Sequence, residues 1–167
     1  MERKKYIAYG SNLNREQMAE RCPTAKVIGT GVIKDYELLF RGRRNSAFAT
    51  VEPKVGSQVP VLIWEIGKED EWALNRYEGY PRHYGKENLT VETENGTESI
   101  MAYIMQPGFK VGMPSECYLN TIKVGYVEAG FNVNPLLESV EQCQRLLDMK
   151  AACDSAEERL WHPQVLC

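Results

Sequence analysis

Two short stretches of this chain hold groups whose types and spacing could do chemistry. The first, Tyr9-Gly10-Ser11-Asn12-Leu13, follows an apolar run (Tyr6, Ile7, Ala8) and precedes a polar, helix-like segment. A strand that stops on a Gly-Ser-Asn turn and runs into a helix aims several backbone N–H groups at one spot. Glycine there lets a ligand approach the main chain, and Ser and Asn tolerate turn conformations. Such a turn is a cradle for a carboxylate or phosphate. The Lys-[Ser/Thr] of a nucleotide P-loop and the three spaced glycines of a dinucleotide fingerprint are both missing, so a small anion is the expected ligand. The same residues also read as a plain strand–helix turn capped by Asn12 or Asn14.

The second stretch, residues 74–84, reads Leu-Asn-Arg-Tyr-Glu-Gly-Tyr-Pro-Arg-His-Tyr. Its Glu78 falls at the C-terminal end of a predicted helix, where the dipole opposes a negative charge at a cost on the order of 0.3–1 kcal/mol. That placement predicts a raised pKa, which suits a group that must take and give a proton near neutrality. Tyr77, Tyr80 and Tyr84 supply ring faces and hydroxyls around it. Taken alone, Glu78 reads more simply as a poorly placed surface carboxylate before a C-cap glycine.

The elements that must position these groups follow from periodicity. Residues 26–33, 36–41, 47–51 and 59–66 read as strands, the last nearly continuous in apolar residues and so central. Gly29, Gly31, Gly42 and Gly56 interrupt them, as the bends and bulges of a barrel-like sheet would. Residues 87–94 and 97–105 flank Asn95-Gly96, which predicts a hairpin with a two-residue type I′ turn. Helices are expected at 15–22, stopped by Pro23, and at 69–78, opened by three acids and closed by Gly79. A third, over 115–129, has Ser115 as N-cap and Tyr118, Ile122, Gly125 and Ala129 on one face. A fourth, over 135–149, carries a stripe of Leu136, Val140, Cys143 and Leu147. From Ser155 onward a surface tail is expected, with Leu160 and Trp161 docking back. The order implies an α+β fold, a mixed and partly closed barrel-like sheet flanked by helices.

Composition narrows the function classes. The 167 residues, 43% hydrophobic and 26% charged, fit one ordinary globular unit. A net charge of −3 gives nucleic acid no global attraction, and Arg41, Arg43 and Arg44 read as a solvated loop. No apolar stretch approaches the roughly 20 residues of a membrane helix. After Met-Glu-Arg-Lys-Lys the apolar run spans only residues 6–9, too short for a secretion signal, so a cytoplasmic location is expected. Five cysteines at irregular spacing, with no C-x-x-C pair and two distant histidines (His83, His162), speak against structural zinc and a disulfide framework.

Together these segments resemble the γ-glutamylcyclotransferase-like family, which includes the AIG2-like proteins. The resemblance rests on Tyr9-Gly10-Ser11-Asn12-Leu13 after the first strand, Leu74-x-x-x-Glu78-Gly79, Tyr84, and Pro114-Ser115-x-x-Tyr118-x-x-x-Ile122-x-x-Gly125. The motifs stand in the family's order and span roughly residues 4–130. The glutathione-directed branch is less similar, because it prefers Gly-Tyr-Gly-Ser-Leu where this chain has Ala8-Tyr9-Gly10-Ser11-Asn12. The resemblance implies a domain over 1–130; residues 131–167 match no part of the family and read as a helical extension packed on the same domain. It also implies conversion of a γ-glutamyl amide to 5-oxoproline and a free amine, with no metal or redox cofactor. Glu78 matches the catalytic carboxylate; Tyr9, Gly10, Ser11, Asn12, Leu13, Tyr84 and Tyr118 match the substrate-binding positions, the two tyrosines as pocket-closing donors. The implied partner is a small γ-glutamyl substrate, with neither nucleic acid nor membrane. Two other classes stay open: a binding module holding a small carboxylate without turnover, and an acyl transferase using Cys22 or Cys117.

Overall fold

The computed structural model describes residues 2–161. Five strands close into a barrel in the order β1-β3-β2-β4-β5. They are β1 (Lys4–Ala8), β2 (Lys26–Arg43), β3 (Ser46–Ile66), β4 (Tyr84–Thr93) and β5 (Gly96–Met105). Neighbours are antiparallel except β1 and β5, whose parallel contact at Tyr6 and Met101 closes the ring. The sheet is therefore mixed, and closed where partial closure was expected.

The four strands expected between residues 26 and 66 are two long, bent ones. β2 and β3 pair from Lys26↔Glu65 to Arg43↔Ser46, with register shifts at Val27/Gly29 and Lys34/Tyr36. Asp35 sits at the second shift with φ 59°, and its Oδ1 accepts from Gly56 N at 2.9 Å. The pattern breaks there because a bulge bends the strand without ending it. The β4–β5 hairpin is also shifted from its expected register. Thr93 pairs with Gly96, so Glu94 and Asn95 form the tip. Gly96 takes positive φ (113°) and Asn95 does not, which excludes a type I′ turn at Asn95-Gly96. The Thr93 hydroxyl accepts from Asn95 N and donates to Gly96 O, holding the shifted tip.

Four helices flank the barrel: α1 (Arg15–Arg21), α2 (Lys68–Tyr77), α3 (Glu116–Ala129) and α4 (Asn134–Trp161). Asn14 caps α1 by accepting from Gln17 N at 3.1 Å, so Asn14 rather than Asn12 is the cap. Asp70, buried near the start of α2, takes Gly67 N and the Thr24 hydroxyl, tying that helix to the α1–β2 loop. Gly79 follows α2 in the left-handed region, at φ 63°. Ser115 caps α3, accepting from Tyr118 N at 3.2 Å. Leu136 and Cys143 of α4 are fully buried, and Phe40 N of β2 donates to Cys143 Sγ. The helix runs on through residues expected to form a tail; docking of Leu160 and Trp161 lies outside the described side chains. No helix among the described residues is long and apolar enough to cross a membrane.

Candidate active site

The chain leaves β1 at Ala8 and enters a single 3₁₀ turn, Ser11–Leu13, before α1. Leu13 N donates to Gly10 O and Asn14 N to Ser11 O, each at 3.0 Å. The N–H groups of Gly10, Ser11 and Asn12 are left without a main-chain partner among the described residues. The cradle expected over residues 10–13 is thus one residue shorter. Leu13 spends its N–H in the turn and buries its side chain completely in the core.

Gly10 has φ −121°, so its value lies in space and not in a positive φ. A Cβ there would stand 3.2 Å from Ala49 Cβ and 3.6 Å from the Tyr118 hydroxyl. Gly10→Val therefore pushes methyl groups against β3 and into the cavity. It is expected to weaken binding of 5-oxoproline, the product that the resemblance implies, at least about tenfold, which is about 1.4 kcal/mol. A folded variant with wild-type affinity by calorimetry would place the ligand elsewhere.

A small cavity opens beside this turn, lined by Tyr6, Tyr9, Gly10, Ser11, Asn12, Ala49, Glu78, Tyr84, Tyr103 and Tyr118. Of the residues singled out in the sequence, Tyr9, Gly10, Ser11, Asn12, Glu78, Tyr84 and Tyr118 meet here, and Leu13 does not. Tyr6, Ala49 and Tyr103 join them without any signal in the sequence. Neither Cys22 nor Cys117 lines the cavity: Cys22 is buried with its thiol pushed up to about 11, mainly by burial, and Cys117 is exposed on α3.

Glu78 is the C-cap of α2 and half-buried. Burial pushes its carboxyl from 4.5 up to about 7, against the opposing pull of the Arg21 charge and the Asn12 hydrogen bond. The direction is the expected one; its main cause is desolvation. Asn12 Nδ2 donates to Glu78 Oε1 at 2.9 Å and to the Tyr6 hydroxyl at 2.8 Å. Trp64 Nε1 in turn donates to Asn12 O at 3.1 Å, fixing the turn to β3.

Burial raises the pKa values of all five lining tyrosines, so they work as neutral hydroxyls. Their hydrogens are not equally available. Tyr9 donates to Tyr103 O, Tyr84 donates to Ala49 O at 2.7 Å, and Tyr103 donates to Asn75 Oδ1 at 2.7 Å. Tyr84 accordingly offers a lone pair, not the donor its position implied. The Tyr118 hydroxyl accepts from Ala49 N at 3.1 Å and keeps its hydrogen for Ser11 or the cavity. Tyr6 likewise accepts from Asn12 and keeps its own hydrogen. Among the described residues no group of three or more His, Cys, Asp or Glu is placed to hold a metal ion.

The sequence model of the family described as "Gamma-glutamyl cyclotransferase, AIG2-like" matches residues 6–121, a span that holds every residue lining this cavity. The chain belongs to that family. It is 28% identical over 133 residues to the γ-glutamylcyclotransferase of Bos taurus, covering 75% of this chain and 71% of that protein. The Homo sapiens γ-glutamylcyclotransferase is 27% identical over the same share. A solved γ-glutamyl cyclotransferase superposes with a TM-score of 0.73 at 26% identity, covering 86% of this chain and 87% of the other. YkqA of Bacillus subtilis shares the fold, with a TM-score of 0.68 at 17% identity over 89% of this chain and 55% of its own. The fold is thus the family's.

Tyr118 both packs and lines the cavity. Its ring stands edge-on to Phe40 and Phe48, with centroids 6.5 and 5.2 Å away, while its hydroxyl reaches Ala49 N. Tyr118→Phe keeps the rings and strands the Ala49 N–H. It is expected to cost roughly 1–2 kcal/mol of stability and a similar amount in kcat/KM. A variant that melts earlier yet keeps full kcat/KM removes the hydroxyl from the reaction.

Proposed function

We propose that the protein is a γ-glutamyl cyclotransferase that releases 5-oxoproline from a γ-glutamyl amide, a γ-glutamyl amino acid or γ-glutamylamine. The observation that carries this reading is a carboxyl group poised near pH 7 inside a small tyrosine-lined cavity, hydrogen-bonded to the Gly10–Asn12 turn. The substrate holds both reactants. Its α-amine attacks its own γ-carbonyl, the new C–N bond closes a five-membered lactam, and the old amide C–N bond breaks. Holding the glutamyl chain folded supplies much of the acceleration by orientation alone.

Glu78 accepts the proton that the attacking nitrogen loses and returns it to the departing nitrogen. One group near neutrality serves both steps, because neither proton transfer is then far uphill. The unspent N–H groups of Gly10, Ser11 and Asn12 suit the α-carboxylate. The Tyr118 and Tyr6 hydrogens suit the carbonyl oxygen as negative charge develops on it. The Tyr9 and Tyr84 lone pairs suit the α-ammonium before it is deprotonated. The catalytic unit ends near residue 130, with α4 as an extension packed upon it.

A panel of γ-glutamyl amides scored by 5-oxoproline release tests this reading, beside thermal shifts with glutamate and 5-oxoproline. Release from at least one member is expected. Stabilisation by 5-oxoproline with no turnover of any member would make the protein a carboxylate-binding module.

A further inference from the structure

We propose that Arg21 is a positioning residue which, acting through Asn12, dictates which oxygen of Glu78 carries the proton. The inference rests on Glu78 as the acid–base group. A guanidinium has donors only. Arg21 Nη1 donates to Asn12 Oδ1, so the amide carbonyl must face Arg21 and the amide NH₂ must face the other way, onto Glu78 Oε1 and the Tyr6 hydroxyl. Of the two oxygens of a protonated carboxyl the carbonyl oxygen is the stronger acceptor, so an N–H aimed at Oε1 favours the carbonyl form there. The hydrogen therefore sits on Oε2. With the Asn12 amide reversed, Oδ1 would oppose Oε1 lone pair to lone pair, and only protonation of Oε1 would relieve the contact. The orientation of one amide thus selects the working oxygen, and Arg21 sets that orientation.

Arg21 is itself held in place. Its Cζ lies 3.4 Å over the Tyr77 ring, and Nη2 reaches Gln17 Oε1 one turn back along α1 at 3.5 Å. The Tyr77 hydroxyl bonds Ser11 Oγ at 2.9 Å, which ties the stacked pair to the same turn as Asn12. Among the described residues no carboxylate lies within ion-pair distance of Arg21, so no ion pair competes with Glu78 for its charge. The titratable groups around Glu78 are Arg21 from α1, Tyr6 and Tyr9 from the end of β1, Tyr84 and Tyr103 from β4 and β5, and Tyr118 from α3. The tyrosines are neutral, so Arg21 supplies the charge. It counters the burial that drives Glu78 upward.

The test titrates Glu78 directly, by carboxyl ¹³C NMR on Glu-labelled protein, its signal assigned by disappearance in Glu78→Gln. The pH profile of 5-oxoproline release runs in parallel. Arg21→Met is expected to raise the Glu78 midpoint by about half a unit or more, since it removes a cation and frees the amide to turn. The acidic limb of kcat/KM should move up with it, and kcat should fall more than KM rises. Asn12→Asp is expected to raise the midpoint further, by setting a second carboxylate against Oε1. An unshifted Glu78 midpoint in Arg21→Met overturns the inference, whatever the activity. Should Arg21→Met not fold, Tyr77→Leu at an exposed position loosens Arg21 without deleting it. A smaller upward shift is then expected, and a wild-type midpoint there overturns the inference equally. Full activity in Glu78→Gln would instead sink the acid–base reading, while the titration still decides the role of Arg21.

Discussion

Glu78→Gln should lose at least about 100-fold in kcat while binding 5-oxoproline nearly as well as the wild type. General acid–base groups contribute ~10²–10⁴-fold, and the amide keeps the shape and the Oε1 acceptor for Asn12 but cannot take a proton. The loss belongs in kcat, because the interaction removed is made only as the proton moves. More than about a tenth of wild-type activity would end the assignment of Glu78. The same substitution carries a stability signature of opposite sign. The folded carboxyl titrates near 7 against 4.5 ordinarily, so between those values the folded state binds the proton that the unfolded chain releases. Stability from this group is full below about pH 4.5 and declines as pH rises through 7. The glutamine variant has no such decline. Its advantage in Tm over the wild type should be near zero at pH 4.5 and grow to the equivalent of roughly 1–3 kcal/mol by pH 8. A gap that does not widen with pH would mean that Glu78 is not desolvated.

How far the site was legible depends on where each partner comes from. The turn at residues 9–12 was readable because its chemistry is local, a strand end with glycine and amide side chains in one run. Glu78 was readable as a misplaced charge at a helix end. The bond between Asn12 and Glu78, 66 positions apart, was not. It exists because β1 pairs with β3 at Tyr6↔Trp64, and α2 follows β3 directly. Tyr84 and Tyr118 were found through the family's motifs, and the direction of the Tyr84 hydroxyl needed the Ala49 carbonyl to be in place. Tyr6, Tyr103 and Arg21 carry no local mark: a tyrosine in a strand and an arginine near a helix end are ordinary, and only barrel closure for the tyrosines and the packing of α1 on the Ser11–Leu13 turn for Arg21 bring them near Glu78. The strands were found but cut short at residues 33–36, because the bulge at Asp35 breaks the alternation while main-chain pairing continues across it.

Gly125→Ala tests whether the turn is held from behind. Gly125 is buried on α3, and a Cβ built there would meet Leu13 Cβ at 2.5 Å, Leu13 C at 2.7 Å and Asn14 N at 2.8 Å. Two of those three atoms are main chain of the segment that carries Asn12, so no side-chain rotation makes room. Helix propensity favours alanine by up to about 1 kcal/mol, whereas overpacking a filled site costs about 1–3. Overpacking should win, since the obstacle is backbone, and the variant is expected to lose roughly 1–2 kcal/mol. The larger effect falls on activity. Either α3 retreats, taking the Tyr118 hydroxyl from Ala49, or residues 10–14 shift and part Asn12 from Glu78. A displacement of about 1 Å in a positioned site can cost on the order of 100-fold. Gly29→Ala serves as the control, because nothing lies within 4 Å of its added Cβ. Measured well below both melting temperatures, 5-oxoproline release should collapse in Gly125→Ala and persist in Gly29→Ala. Equal activity in the two would show that the turn keeps its geometry without support from α3.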